Sequence, residues 1–430
     1  MGHKRSSCAD MWKDLPAELL NVIAQKFKYV DEITRFSAVC KSWNSAASEL
    51  NNQLTSFLPH KYPWLLLAED TGLDISACKV GGDDQTLPDP DLIIKNIPST
   101  RGLFSLKTKK IYYLDLPQAT NKVILGTNKG WLLTLGGDLE INLLHPLNRL
   151  QFPLPSMLTL PSQEEYHDDY FPQQASTKVI TKVALSSQVP IKSALQNQGT
   201  CHLPIIMVIC ERGVLGCARL RDNCWKNVEL EAGQRLFHDI VYHKKNFYAI
   251  DFRGGVHMCE IDDNDDRKET QSPKGKLITS IPIFKHYQVR SYMIEALSGS
   301  HIWVVLRFYI EKNSKEDIPG DFRYYTSNFL VLKLDVHHSD SNEVPSCTWV
   351  EDVRDLGNEA LFIGRTSSTS IASSDCIKPN SIYFTDELWQ WFWATGGGHD
   401  MGIFNVQTGE MQPHFSGISI HNFSPPLWYI

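Results

Sequence analysis

The chain has 430 residues, 42% of them hydrophobic and 21% charged, the composition of an ordinary globular protein. Its net charge of −7 argues against non-specific nucleic-acid binding, which needs a basic stripe. No apolar run approaches the ~20 residues of a membrane-spanning helix, and 10 cysteines over this length do not make a disulfide scaffold.

The first residues, Met1-Gly2-His3-Lys4-Arg5-Ser6-Ser7-Cys8, are polar and lack the apolar core of a signal peptide. An intracellular protein with reduced thiols is expected, in the nucleus, the cytoplasm or both. Lys107-Thr108-Lys109-Lys110 is too short a basic run to choose between them.

From Trp12 to Leu50 the pattern is helical. Asp14 is placed to cap a helix, with Pro16 in its first turn, where the missing N–H costs nothing. Glu18 follows beside the positive end of the helix dipole. Leu15, Leu19, Leu20, Ile23 and Phe27 recur at three- and four-residue steps and make one apolar stripe. Asp31 is a second cap, ahead of Ile33, Phe36, Ser37 and Cys40. A third short helix carries Trp43, Ala46, Ala47 and Leu50. Three helices of this length enclose little core, and modules below about 40–60 residues lean on a partner or a neighbouring domain. The residues alone allow either a cap on the larger domain or a docking module.

The order of residues in this head resembles an F-box. Leu15-Pro16-Ala17-Glu18-Leu19-Leu20-Asn21-Val22-Ile23 is similar to the F-box opening Leu-Pro-x-Glu-Leu-Leu-x-x-Ile. Val39-Cys40-Lys41-Ser42-Trp43 is similar to its close, Val-Cys-basic-x-Trp, while Asn44 departs from the Arg that many plant members carry next. The resemblance sets the module at residues 10–52 and implies docking onto the Skp adaptor of a cullin ubiquitin ligase. It implies that Leu15, Pro16, Leu19, Leu20 and Ile23 face the adaptor. Val39, Cys40 and Trp43 would buttress or join that surface.

Beyond Pro59 helical periodicity nearly vanishes. Leu65-Leu66-Leu67-Ala68 reads as a first strand. Short β-branched and aromatic runs follow, separated by Gly, Pro, Asn and Asp. They include Ile111–Leu114, Trp131–Leu135, Ile205–Cys210, Phe247–Ile250, His301–Leu306, Phe329–Leu334 and Ile382–Phe384. Several strands end in Asp: Asp115, Asp251, Asp335 and Asp386. This weak period of tens of residues predicts radial repetition of four-stranded sheets, six to eight blades at about 45–55 residues each. Such a β-propeller also removes exposed strand edges. The competing arrangement is a pair of β-sandwiches. The fold class is therefore α+β multidomain, a small three-helix head followed by a mainly antiparallel all-β domain over residues 60–430.

The body resembles the KIB-type β-propeller that follows many plant F-boxes, and was long a domain of unknown function. Gly130-Trp131-Leu132, Leu143-Leu144-His145-Pro146-Leu147 and Leu154-Pro155 are similar to its Gly-Trp-Leu, Leu-x-Asn-Pro-Leu and Leu-Pro signature. His145 stands where Asn is usual, so loss of a turn-capping amide is expected there. Phe237–Tyr242 with Phe247–Asp251 resembles the central hairpin. Leu356–Gly364, Ser381–Asp386, Asp400–Phe404 and Ser424–Trp428 resemble the later strands.

Lys79–Pro98, Ser162–Ser176 and Asp262–Lys276 read as loops or insertions. Asp262-Asp263-Asn264-Asp265-Asp266 is not a calcium loop, because Arg267 and Pro273 hold the positions that need Gly and Glu. Gly396-Gly397-Gly398-His399-Asp400 is followed by a strand pattern rather than the helix a phosphate cradle requires. Cys201, Cys210, Cys217 and Cys224 lack the two-to-four-residue spacing of a zinc site and read as buried small hydrophobes. There is no Gly-x-Ser-x-Gly elbow and no His-Glu-x-x-His helix.

No catalytic residue, metal site or cofactor is expected. The resemblance implies the non-catalytic, substrate-recognition subunit of an SCF-type cullin–RING E3 ubiquitin ligase. Its partners would be the Skp adaptor, through it the cullin and RING proteins, and a protein target. No nucleic acid and no membrane partner is expected. The alternatives are a scaffold or sequestering protein outside any ligase, and a propeller enzyme. A pocket on the channel axis lined by clustered His, Asp and Glu would favour the enzyme, and an axis filled with apolar or neutral side chains would count against it.

Overall fold

The run Ile205–Cys210 shows how the body is built. All six of its residues are buried. Ile206, Val208 and Cys210 join one apolar cluster, and Ile205, Met207 and Ile209 join another. Both faces of its sheet are therefore covered, which is why the run is apolar throughout instead of alternating. The same division occurs at Met293 against Tyr292 and Ile294, and at Val304 and Leu306 against Trp303 and Val305.

The computed structural model describes residues 12, 15–24, 35–47, 63–68, 97–107, 109–161, 180–189, 203–210, 213–231, 233, 235–261, 272–282, 288–311, 324–337, 345–350, 352–387, 397–417, 419 and 426–430. The strands form six sheets. They are the blades of a propeller, numbered 1 to 6 in chain order. Their innermost strands are Leu427–Tyr429, Lys122–Asn128, Ile180–Leu185, Phe237–His243, Gln288–Glu295 and Thr369–Ala372. Successive inner strands touch one another from blade 1 through to blade 6. Six apolar clusters fill the six gaps between blades, the last joining Leu65 and Phe104 of blade 1 to Phe362 and Tyr383 of blade 6.

Closure is made by the C-terminus. Leu427–Tyr429 pairs antiparallel with Trp64–Leu66, so blade 1 takes its innermost strand from the far end of the chain. Trp428 is fully buried there, edge-on to Phe362 with ring centroids 5.0 Å apart. The lower end of the expected range, six blades, is what the chain builds, and the paired sandwiches are excluded.

Blade 6 is irregular. Glu359–Ile363 pairs antiparallel with the inner strand Thr369–Ala372 and parallel with Ser381–Phe384. The chain thus enters the blade at its second position, goes inward to the axis, and comes out again. Residues 364–368 make the inward passage.

In the head, one helix runs Ala17–Ala24, and residues 35–37 and 41–47 are helical. Leu20, Phe36, Ala46 and Ala47 form its core, with Leu15, Ile23 and Trp43 packed on it. The amides of Leu19 and Leu20 both donate to the Pro16 carbonyl, so Pro16 stands just before the first turn. The expected caps Asp14 and Asp31, and the apolar Phe27 and Ile33, lie outside the described residues.

Two expectations are corrected. Lys274–Lys276 is not loop but the start of the strand Lys274–Ser280; the rest of that segment up to residue 271 lies outside the described residues, as do residues 79–96 and 162–176. The turn cap at His145 is not lost: its Nδ1 accepts from the amides of Leu147 and Asn148 at 3.3 and 3.4 Å. An imidazole nitrogen replaces the amide oxygen because both reach two and three residues ahead. The repeated strand-end Asp has no single structural role. Asp251 Oδ1 accepts from the amides of Arg253 and Gly255 in a tight turn. Asp386 instead accepts from Tyr324 OH, and Asp115 from Ser99 Oγ.

Candidate functional site

Two regions carry chemistry beyond plain packing, the outer surface of the head and the channel of the propeller. In the head the helix Ala17–Ala24 divides its apolar residues between two faces. Leu20 is 1% exposed and serves the head's own core. Ile23, three residues on, shares that face and is half-buried, as are Leu15, Cys40 and Trp43. Leu20 was expected on the adaptor side, and its burial corrects this: among the described residues it packs with Phe36, Ala46 and Ala47 in the head's own core.

Leu19 and Val22 share the opposite face and are 50% and 52% exposed. Val39 is 55% exposed, Trp12 58%, and Pro16 is exposed too. Trp43 does more than fill space. Its ring lies 4.5 Å from Phe36, and its Nε1–H donates to the Trp12 carbonyl at 3.0 Å, which ties the start of the head to its third helical segment. Trp12 and Val22 were not singled out from the sequence. Val22 shows itself once the phase of the helix is known, because it falls three residues after Leu19.

The channel holds a buried ionic cluster that the sequence reading missed. Lys182, on the inner strand of blade 3, is fully buried beside Asp239 of blade 4 at 3.7 Å and Glu387 at 3.2 Å. Its ammonium also donates to the carbonyls of Gly364 and Thr366 and lies 4.8 Å from the Tyr292 ring. Arg290 Nε donates to the same Glu387 oxygen at 2.9 Å. Burial pushes the Asp239 carboxyl up against the pull of Lys182 and of the Ser368 hydroxyl. At Glu387 burial acts the same way, but Arg290 and Lys182 overcome it and hold the carboxyl below its ordinary range.

A second buried group joins blades 5 and 6. Arg307 donates to Thr326 Oγ1, the Thr385 carbonyl and Asp400 Oδ2 at 2.7, 2.7 and 2.9 Å. Tyr324 OH donates to Asp386 Oδ1 at 2.7 Å, and the Gly398 amide to Asp386 Oδ2 at 2.9 Å. The glycine-rich turn is therefore spent on internal contacts and followed by the strand Gly402–Asn405. One signal for these groups was present in the sequence: a lone charge at an inward position of an apolar strand, as in Ile180-Thr181-Lys182-Val183 and Phe237-His238-Asp239-Ile240.

Among the described residues no group of three or more His, Cys, Asp or Glu could hold a metal ion. Burial pushes the thiols of Cys210, Cys217 and Cys259 up to about 12, so they act as small apolar side chains. Cys224 corrects the expectation of burial, being exposed, and Cys201 lies outside the described residues.

A family profile described as KIB1-4 beta-propeller matches residues 103–405, and the F-box domain profile matches residues 12–54. F-box protein At2g26160 of Arabidopsis thaliana is 22% identical, over 88% of this chain and 96% of its own length. F-box protein SKIP23 of Arabidopsis thaliana is 21% identical, over 97% of this chain and 95% of its own. F-box protein At2g17690 of the same plant is 26% identical, over 87% and 91%.

Proposed function

The chain belongs to the KIB1-4 beta-propeller family, and on that premise we propose that it is the substrate-recognition subunit of an SCF-type cullin–RING ubiquitin ligase. The head docks the Skp adaptor, through which the cullin and RING proteins are reached, and the propeller holds a protein target. The observation that carries this reading is the outward apolar surface of the head. Trp12, Leu19, Val22 and Val39 are each half exposed or more, while Leu20, Phe36, Ala46 and Ala47 form the core among the described residues of the module. Large apolar side chains concentrated on so small a unit mark a surface that a partner covers.

In this role the chain contributes no nucleophile. It supplies proximity and orientation, bringing a target lysine to a thioester on another subunit. The enzyme alternative requires an open axial site. The charged groups on this axis instead neutralise one another and bind backbone carbonyls of the chain itself. The test is co-purification of the full chain and of a Leu19→Ala/Val39→Ala variant with a plant Skp adaptor. Wild type is retained and the variant is lost. Equal retention of both removes the docking surface, and retention of neither removes the receptor reading.

A further inference from the structure

The geometry points to an internal strap: residues Gly364–Ser368 cross the propeller channel and plug it, with Lys182 as the positioning residue that holds them. In a six-bladed ring blade 3 stands opposite blade 6. Yet the segment leaving the second strand of blade 6 contacts the inner strands of blades 2, 3 and 4. Lys182 Nζ of blade 3 donates to the carbonyls of Gly364 and Thr366. The Ser367 amide donates to the Thr127 carbonyl of blade 2 at 3.3 Å, and its hydroxyl to the Val183 carbonyl of blade 3. Ser368 Oγ donates to Asp239 Oδ2 of blade 4 at 2.6 Å. A five-residue stretch that reaches three blades besides its own lies on the axis. Arg365, Thr366, Ser367 and Ser368 are all buried there.

The local chemistry suits a strap. Gly364 has φ of +152°, and a Cβ at this position would overlap the Thr385 hydroxyl, so only glycine can begin the inward passage. Carbonyls turned into a channel lose water and need donors. An ammonium with three donors can serve two carbonyls while facing two carboxylates, which a neutral side chain cannot do. The strand order in blade 6 brings this segment to the axis, because it joins the second strand of the blade to the innermost one. The axis, where many propellers bind ligands, is here filled by the protein's own backbone. Partners of this chain are left with the rims and outer strands. This inference stands apart from the adaptor reading and does not depend on it.

Hydrogen exchange of the full chain, read by mass spectrometry, tests the strap. In wild type the amides of residues 366–368 exchange as slowly as those of the inner strands; exchange at the rate of an open loop overturns the proposal. In Lys182→Met, peptides covering 364–368 exchange about 10- to 100-fold faster, the loss expected for charge-assisted hydrogen bonds. Those covering the outer strands of blades 1 and 2 do not change, and Lys182→Arg restores most of the protection. Uniform acceleration throughout the propeller, or none, overturns the strap as a separate element. Should Lys182→Met fail to fold, Ser367→Ala removes a single hydroxyl at the crossing. It then accelerates exchange at 366–368 alone, and unchanged exchange there overturns the proposal.

Discussion

Lys182 Nζ lies 3.2 Å from a carboxylate oxygen of Glu387, an ion pair that joins blade 3 to the segment following Ser381–Phe384 in blade 6, across the ring. Neither residue is solvated, so the pair belongs with Asp239 and Arg290 to one neutralised cluster. Removing one member strands the others. Lys182→Met should therefore lower the unfolding free energy by about 3–5 kcal/mol, and adding Asp239→Asn, which leaves Glu387 paired with Arg290, should recover part of that loss. Chemical denaturation of the single and double variants checks it. A double variant less stable than Lys182→Met would show that the charges are not coupled.

Leu19 and Leu20 are neighbours in sequence with opposite duties. Leu20→Ala removes a core residue of the head and should destabilise that module by about 2–5 kcal/mol. Leu19→Ala should leave the head folded and weaken adaptor binding by about 2 kcal/mol. Hydrogen exchange of residues 15–47, together with titration of the adaptor, separates the two. If Leu19→Ala unfolds the head, the assignment of faces is wrong.

Ring closure rests on three residues at the C-terminus. Trp428 is buried against Phe362, Tyr383 and His414. Trp428→Ala should cost about 3–5 kcal/mol. Truncation before Leu427 should broaden the thermal transition, since blade 1 then lacks its inner strand. An unchanged melting curve for the truncated chain would refute closure by this strand.

His414 makes stability depend on pH. Its Nε2–H donates to the Phe384 carbonyl at 3.0 Å, and burial pulls the imidazole down to about 4 from an ordinary 6.5. The folded state thus refuses a proton that the unfolded state accepts. This contribution is fully present above pH 6.5 and is lost as pH falls from 6.5 towards 4, by at most about 1.4 kcal/mol per pH unit. The difference in stability between wild type and His414→Gln, measured across this window, should shrink as pH falls. A constant difference would show that His414 does not carry the effect.

At His145 the imidazole caps a turn and packs edge-on to Trp131 with ring centroids 5.1 Å apart. His145→Asn should keep the cap and cost well under the about 1–3 kcal/mol expected of His145→Ala, which leaves two amides without their acceptor. Thermal shifts of the two variants decide this, and equal shifts would assign the residue to packing alone.

Sequence alone determined the division into a helical head and a strand-rich body, and most of the strands. Ile205–Cys210 was delimited to the residue, because an apolar run bounded by polar turns is written in local order. The F-box and propeller resemblances were legible for the same reason: Leu15–Ile23, Val39–Trp43 and Gly130–Trp131–Leu132 are short contiguous patterns. Which face of a helix meets its own core is not local. Leu19 and Leu20 are both apolar, and only the positions of Phe36, Ala46 and Ala47 decide that Leu20 turns inward. The blade number, the C-terminal closure and the reversed order in blade 6 likewise depend on pairings between distant residues, such as Trp64 with Tyr429. Lys182, Asp239 and Glu387 are scattered along the chain as isolated charges. They become one cluster only when a closed ring brings opposite blades to a common axis and removes the water between them.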